Sequence, residues 1–556
     1  SAPAKEESVA PAPVTDNIYY ESDYDFTVEG EQKFVDDGLA LGARIVNEGV
    51  VLLRNEGSAL PISPADGKIV AFGNAGPSMM TGFDTAVKDA GFDFDDAAWE
   101  FYTNGSTFSN SWQVNENPWS DVEAAGFLGD VSGVAIVFLG RRDHEGCDAQ
   151  WYADHDYLAL STEEKDMLTN VANMRRDGTF SKMIVAVTTS NTISWEDGPW
   201  SDAVDSLLWF GNITATGYSS PLPYGCAAFV QVLDGTANPS GRLADTVYKS
   251  NQANPVMANF GRIDADLSQV SPEKLDEVQA ESDRWQPGQF YGNHWRHNYV
   301  YAEGIYVGYR YPETRYEDKI LGQGNAGDFD YSSYVAYPFG SGLSYTSFSY
   351  SDFAVEEADD SFAVTVTVTN DGEVAGKHAA LVFVQAPYTD YDIENGVEKA
   401  SIELKGYEKT QLLDPGASET LTISVAKHEL TAYDANKAKT YILEDGDYYF
   451  TVADSSHDAI NNVLAAKGKT TADGMTEDGD SSLVWVWNNG TFDDVTYSVS
   501  AATGVSITNL FDDVDPNKNP LMSEKNHITW LSRSDWEGTF PTTPIQLVYT
   551  DELVEL

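Results

Sequence analysis

Short apolar runs alternate with amphipathic stretches over residues 31–345. A capping box, formed by Ser161 and Glu164, precedes a stripe of apolar residues with helical spacing. The alternation predicts a three-layer α/β sandwich, with its functional loops beyond the carboxyl ends of the strands. Five apolar runs predict the buried strands of its sheet: VVLL (50–53), KIVAFG (68–73), GVAIVFLG (133–140), KMIVAV (182–187) and SLLWFG (206–211).

The hydrophobic period changes to two after residue 345, which predicts an all-β sandwich. Phe362, Val364, Val366 and Val368 alternate with polar residues before the turn at 370–372, and two later segments repeat the pattern. From about residue 466 the chain is less regular and rich in turn residues. The predicted organisation is a tail over 1–30, an α/β sandwich over 31–345, a β-sandwich over 346–465 and an irregular connector over 466–556.

Composition narrows the class of partner. With 33 basic and 88 acidic residues the formal charge is 33 − 88 = −55, which repels nucleic acid and anionic lipid. The longest apolar run is far shorter than a membrane span of ~20 residues. The tail SAPAKEESVAPAPV is typical of a mature exported protein, so we expect an extracellular or cell-surface location. Two cysteines are too few for a disulfide scaffold or a cysteine metal site.

Four segments resemble glycoside hydrolase family 3, in the order that the family shows. They are ALGARIVNEGVVLLRNEGSALPIS (40–63), NPSGRLADT (238–246), YAEGIYVGYRYPET (301–314) and YPFGSGLSYTSFSYSDF (337–353). The resemblance implies the family's α/β sandwich followed by its fibronectin-III-like domain. This fold agrees with the one that the hydrophobic periodicity predicts.

The same resemblance implies a missing barrel. Most members resemble a barrel followed by this sandwich, and the barrel carries an aspartate nucleophile. A permuted minority places the barrel last, and residues 503–515 and 528–541 resemble the connector that leads into it. A barrel needs ~200 residues or more, so we expect about half of a permuted enzyme here. Asp535 lies in an S-D-W sequence like that around the family's nucleophile, but we interpret it as a turn or docking residue.

A candidate proton donor follows the run GVAIVFLG. The sequence RRDHEGCD (141–148) resembles the family's acid/base loop, which implies Glu145 as general acid/base and Asp148 as its companion. A loop that leaves a parallel strand can carry such a carboxyl across a domain interface. Asp143 and His144 depart from the family pattern, and they either tune Glu145 or lie exposed.

Four weaker patterns remain, and the first two have two interpretations each. Cys147 and Cys226 either form a disulfide that pins the acid/base loop or are two buried thiols. Trp485 and Trp487 share one strand face, for which core packing is favoured over sugar stacking. Neither the H-x-x-H sequence at 294–297 nor the calcium-like loop at 513–524 carries a complete ligand set, so we expect no metal and no cofactor.

The function that the resemblance implies is half of a retaining, exo-acting β-glucosidase. Glu145 would protonate the leaving oxygen, and a barrel domain or a separate chain would supply the nucleophile. The expected partners are that barrel and an oligosaccharide or aryl β-glucoside, and the oligomeric state stays open. The alternatives are a β-xylosidase of the same family and a non-catalytic module that binds carbohydrate or assembles on a surface.

Overall fold

The computed structural model describes residues 27–105, 115–141, 151–152, 155–211, 216–217, 220–221, 224–260, 263–285 and 296–554. Its first part is built around a five-stranded sheet with the order β1-β5-β4-β3-β2. The last four strands run parallel to one another, whereas β1 pairs antiparallel with β5 at the sheet edge. The strands are β1 Val51–Asn55, β2 Ile69–Phe72, β3 Gly133–Gly140, β4 Phe180–Thr188 and β5 Ser206–Phe210.

Helices cover both faces of this sheet. Alternate residues of β3 point to opposite faces, so Ile136 and Phe138 pack in one apolar cluster and Val137 and Leu139 in the other. Because both faces are buried, each inner strand is a nearly continuous apolar run. The predicted three-layer arrangement is confirmed. The helices are α1 Val28–Gly49, α2 Ala75–Met79, α3 Phe83–Asp89, α4 Asp96–Gly105, α5 Trp119–Ala124, α6 Thr162–Arg176 and α7 Tyr224–Leu233.

The segment that follows carries smaller elements. Helix α8 (Pro272–Trp285) and helix α9 (Arg310–Leu321) lie in it. A short pair joins Val247–Tyr248 to Val335–Tyr337 in antiparallel fashion. A second pair joins Asp266–Gln269 to Val548–Thr550 in parallel, so the end of the chain returns to the α/β part.

The second part is the predicted all-β sandwich. One sheet has the order β6-β7-β10 and the other β9-β8-β13-β14. Phe362, Val364, Val366 and Val368 are buried in one cluster with residues of the facing sheet, as the period of two predicts. The strands are β6 Phe348–Glu357, β7 Ser361–Asn370, β8 Ala379–Gln385, β9 Glu403–Lys409, β10 Ser418–Ala426, the hairpin β11 Ala432–Asp434 and β12 Thr440–Ile442, β13 Gly446–Ala453 and β14 Val484–Asn489.

The region after residue 466 folds back onto α9 and the β-sandwich. Arg533 is buried and donates to Glu317 Oε2 at 2.9 Å and to Asp318 Oδ1 at 2.8 Å. Burial alone would lower the pKa of Arg533, but the charges of Asp318 and Glu317 outweigh it and raise that pKa. The buried Trp536 donates its indole N–H to Asp318 Oδ2 at 2.8 Å. The connector is therefore anchored by a charged network and does not extend away from the domains.

Among the residues that the structure describes, no helix is both long enough and apolar enough to cross a bilayer.

Candidate active site

The loop with the predicted proton donor leaves from the carboxyl end of β3. This strand lies between β2 and β4, so the exit is central in the edge where the parallel strands end. Gly140 closes the strand, and a Cβ there would lie 2.5 Å from Met79 Sδ and 2.9 Å from Thr188 O. Steric room alone therefore requires glycine at the exit.

The predicted site residues come directly after β3 in the chain. Asp143, His144, Glu145, Cys147 and Asp148 lie within 142–150, outside the described residues. Their roles stay predictions, and the geometry reported below is that of the frame from which this loop leaves.

The side chain of Arg141 joins the two ends of the segment that contains the loop, because it bonds to residues before and after it. Its side chain donates to the carbonyl oxygens of Gly140, Tyr157 and Ala159 and forms two hydrogen bonds with Glu164, at 2.7 and 2.8 Å. A guanidinium has five N–H donors, and all five are used here. The chain on either side of 142–154 is thus held at one point beside the end of β3.

The partner of Arg141 is also a helix cap. Glu164 accepts the backbone N–H of Ser161, and Ser161 Oγ accepts that of Glu164, so the predicted capping box of α6 is confirmed. Both members of the ion pair are buried. Burial acts to lower the pKa of Arg141, but the charge of Glu164 outweighs it and raises that pKa. The guanidinium therefore stays charged, and it ties the loop frame to the start of α6.

A second carboxyl lies at the same edge of the sheet. Glu116 accepts the backbone N–H of Asn74, just past β2, at 2.9 Å and that of Asn117 at 2.8 Å. The side chain of Asn74 also bonds to Asn115 O and Asn117 Nδ2. Burial raises the pKa of Glu116 to about 8, although the two backbone N–H groups oppose this. Glu116 is a carboxyl with a raised pKa that the sequence analysis missed.

The predicted disulfide has one member among the described residues. Cys226 is buried in the first turn of α7, and its Sγ lies 3.4 Å from Thr81 O. Burial raises the pKa of this thiol to about 12, so Cys226 is not a reactive thiolate near neutral pH. Cys147 lies outside the described residues, so its pairing with Cys226 stays a prediction.

Two of the family-like segments meet at the junction between the domains. Asn238, in NPSGRLADT, accepts from Ser344 Oγ and from the backbone N–H of Tyr345, both in YPFGSGLSYTSFSYSDF. The amide of Asn238 also donates to Ala375 O in the β-sandwich. These segments therefore join the two domains.

Arg242 in the same segment makes the strongest link across this junction. It donates to Gly342 O at 3.0 Å and pairs with Asp454 Oδ1 at 3.4 Å. His378 and Tyr350 also bond to Asp454 Oδ1, at 3.0 and 2.6 Å. Burial lowers the pKa of His378, while the hydrogen bond from His378 and the charge of Arg242 overcome the effect of burial and lower the pKa of Asp454. The carboxylate of Asp454, whose side chain is half-exposed, thus holds three side chains together.

Asp535 has a structural role in the connector. It is the N-cap of a short helix, Trp536–Thr539, and its side chain accepts the N–H of Gly538. Asn325 donates to the same oxygen at 2.6 Å. This role agrees with the interpretation of Asp535 as a turn residue.

The weaker sequence patterns also have structural explanations. The rings of Trp485 and Trp487 pack against Phe362 at 6.1 and 5.0 Å between centroids, as expected for core packing. In the calcium-like loop, Lys518 Nζ donates to Asp512, just before the loop, at 2.6 Å and lies 3.8 Å from Asp515 Oδ2, one of the template ligands. In the part of the chain that the structure describes, no group of three potential metal ligands was found.

Comparison with known proteins agrees with this fold. Residues 50–309 match the model of the glycosyl hydrolase family 3 C-terminal domain, and residues 378–456 match a fibronectin type III-like domain. The chain therefore carries the C-terminal domain of glycosyl hydrolase family 3, followed by a fibronectin type III-like domain.

Its curated relatives include β-glucosidases. Thermostable beta-glucosidase B of Acetivibrio thermocellus is 26% identical over 475 residues, which are 80% of this chain and 52% of that protein. Probable beta-glucosidase K of Emericella nidulans is 31% identical over 347 residues, 62% of this chain and 32% of that protein. The chain thus spans about half the length, or less, of these relatives.

Solved structures show the same fold. β-Glucosidase 3B of Thermotoga neapolitana superimposes with a TM-score of 0.57 at 24% identity, covering 83% of this chain and 55% of that chain. The β-glucosidase of Bifidobacterium adolescentis gives 0.56 at 21% identity, covering 91% and 58%.

Proposed function

We propose that this chain is the part of a retaining, exo-acting β-glucosidase that supplies the general acid/base. The observation that carries the proposal is the exit of the RRDHEGCD loop from β3, an inner parallel strand, in a domain that matches a glycoside hydrolase family. The β-glucosidases among its relatives support the glucosidase assignment over the xylosidase alternative.

The mechanism follows from the two carboxyl groups that retention requires. In a retaining glycosidase these groups lie about 5–5.5 Å apart, one attacking the anomeric carbon and the other protonating the departing oxygen. Glu145 takes the second role and then removes a proton from the water that hydrolyses the glycosyl-enzyme. The attacking aspartate comes from a barrel domain, on a longer form of this chain or on another polypeptide.

The frame around β3 suits this role. Proton transfer across a domain interface needs a carboxyl in a well-defined position, because a misplaced acid loses most of the rate enhancement that proximity and orientation provide. Arg141 supplies a fixed starting point for the loop, because all of its donors are used.

The acidic surface and the Ala/Pro-rich tail further favour an extracellular or cell-surface enzyme.

The test separates the two halves of the proposal. The 556-residue chain alone should not hydrolyse 4-nitrophenyl β-glucoside, and addition of the barrel polypeptide should give activity. Turnover by the chain alone would refute the missing nucleophile. No turnover with the barrel present would favour the binding-module alternative.

The role of Glu145 is tested in the active assembly. Glu145→Ala should reduce turnover by about 10²–10⁴-fold for substrates with poor leaving groups, and much less for activated ones, with azide restoring part of the loss. Glu123→Ala, which removes an exposed carboxyl from α5, is the matched control and should change neither class of substrate. Equal small effects of Glu145→Ala on both classes would count against a proton donor.

A further inference from the structure

An open cleft lies between the β-sandwich, the connector and the α/β part. Its volume is about 690 Å³, within the range of small-molecule sites. Five aromatic rings line it: Tyr301, Tyr433, Tyr441, Phe511 and Trp530. None of these rings is Trp485 or Trp487, which pack against the core of the β-sandwich.

The rings come from three separate segments and remain accessible. Tyr301 is 73% exposed and Phe511 75%, while Tyr441 and Trp530 retain 41% and 40%. Isolated apolar side chains on a surface are ordinary, but a group of large rings around one concave site is not. The cleft therefore presents aromatic faces to solvent at a place where packing does not need them.

The backbone beneath two of these rings is fixed. Val300 and Ala302 are buried in an apolar cluster, so Tyr301 between them points outward. Leu531 is buried and donates its N–H to Ala302 O at 2.7 Å, which fixes the chain next to Trp530. The backbone that carries these rings is thus held in place before any ligand arrives, which reduces the entropy lost on binding.

The opposite wall is fixed by polar contacts. Tyr433 and Tyr441 are directly paired across the β11–β12 hairpin, with ring centroids 5.2 Å apart. The hydroxyl of Tyr433 donates to Asn509 Oδ1 at 2.6 Å, and Asn509 Nδ2 donates to Ala435 O at 2.8 Å. These bonds join residues near Phe511 to the hairpin.

The chemistry of the lining selects the ligand. Asp512, Asp515 and Lys518 contribute two negative charges and one positive charge to the wall, in a chain of net charge −55. Anionic ligands are disfavoured. A purely apolar ligand would cover the carboxylate and amide groups without replacing their hydrogen bonds to water. A neutral ligand with both C–H faces and hydroxyl groups satisfies both kinds of lining.

We propose that this cleft binds a neutral β-linked gluco-oligosaccharide, with its sugar rings packed on Tyr301, Trp530 and the tyrosine pair. The assignment rests on the proposed function for the class of sugar. Binding does not require the nucleophile or Glu145, so it can be measured on the 556-residue chain alone.

The experiment is calorimetric titration of the chain with cellobiose, cellotriose and 4-nitrophenol. Cellotriose should bind, and Trp530→Ala and Tyr441→Ala should each weaken it by about tenfold, the effect of losing roughly one aromatic contact. Tyr301→Ala, at the most exposed tyrosine of the cleft, provides a variant that leaves the buried framework intact. Tyr407→Ala, equally exposed on β9 but outside the cleft, should leave the affinity unchanged.

Three outcomes of the titrations would overturn the proposal. They are no binding of either sugar at millimolar concentration, sugar binding that none of the three cleft variants weakens, and binding of 4-nitrophenol alone. If an added barrel polypeptide shields Trp530 from solvent and the chain has no affinity for sugar, the proposal is also overturned, and the cleft is a protein interface. Small effects of Glu145→Ala on hydrolysis would contradict the proton donor without changing these binding results, because binding needs neither Glu145 nor the nucleophile. The two proposals therefore fail separately.

Discussion

Replacing Arg141 by methionine tests whether one buried ion pair holds the frame of the candidate loop. Arg141→Met removes two hydrogen bonds to Glu164 and three to main-chain carbonyls, and leaves Glu164 buried without its cation. Breaking a buried pair by removing one partner costs about 3–5 kcal/mol. Since three carbonyls also lose a donor, we expect a cost in the upper part of that range.

The measurement is urea unfolding followed by circular dichroism, arranged as a double-mutant cycle. Glu164→Gln keeps the capping box, because glutamine can also accept at that position. Arg141→Met combined with Glu164→Gln should recover at least about 1 kcal/mol relative to the sum of the single changes, because no charge is then left unpaired. Lys165→Met removes a partly exposed pair with Glu196 from the same helix, and this control should cost less than about 1 kcal/mol.

Two results would refute this reasoning. If Arg141→Met costs no more than Lys165→Met, the pair does not hold the frame. If the double variant shows no coupling, the loss comes from packing around the guanidinium stem and not from the unpaired carboxylate.

Two further predictions concern the sheet edge and the domain junction. Folded Glu116 has a pKa of about 8 against 4.5 for the ordinary group, so between these values the folded state keeps a proton that the unfolded chain has lost. The free energy of unfolding should therefore fall as pH rises from 5 to 8, with this one group contributing a slope of up to about 1.4 kcal/mol per pH unit. Urea unfolding of Glu116→Gln should lack that contribution, whereas Glu123→Gln should retain it, and equal slopes for all three proteins would contradict a protonated Glu116. Arg242→Ala, and also Arg242→Lys, should lower the free energy of unfolding by about 1–2 kcal/mol, because Gly342 O and Asp454 lose hydrogen bonds that the planar guanidinium makes and an ammonium cannot reproduce. Scanning calorimetry should show a lower unfolding temperature or two separate unfolding transitions. Arg310→Ala removes a partly exposed pair between the domains, and an equal or smaller loss of stability in Arg242→Ala would show that Arg242 does not hold the domains together.

The hydrophobic pattern alone determined the two kinds of fold. Strands buried on both faces must be nearly continuous apolar runs, so GVAIVFLG and KMIVAV were visible as β3 and β4. A strand of a β-sandwich buries only one face, so its apolar residues alternate with polar ones. This period of two, from Phe362 to Val368, predicted β7. The capping box of α6 was equally visible because its bonds span only three residues.

The tertiary structure decided what charged and aromatic residues do. Arg141 meets Glu164 across 23 positions, and Arg242 meets Asp454 across 212, so no local spacing could reveal either pair. Core packing was the favoured interpretation of Trp485 and Trp487, and their contacts with Phe362 agree with it. The accessible rings of Tyr301 and Trp530 come from distant segments, so no local pattern could place them in one cleft. Local order is encoded by neighbours in the chain, whereas burial, pKa and exposure depend on which distant segments pack together.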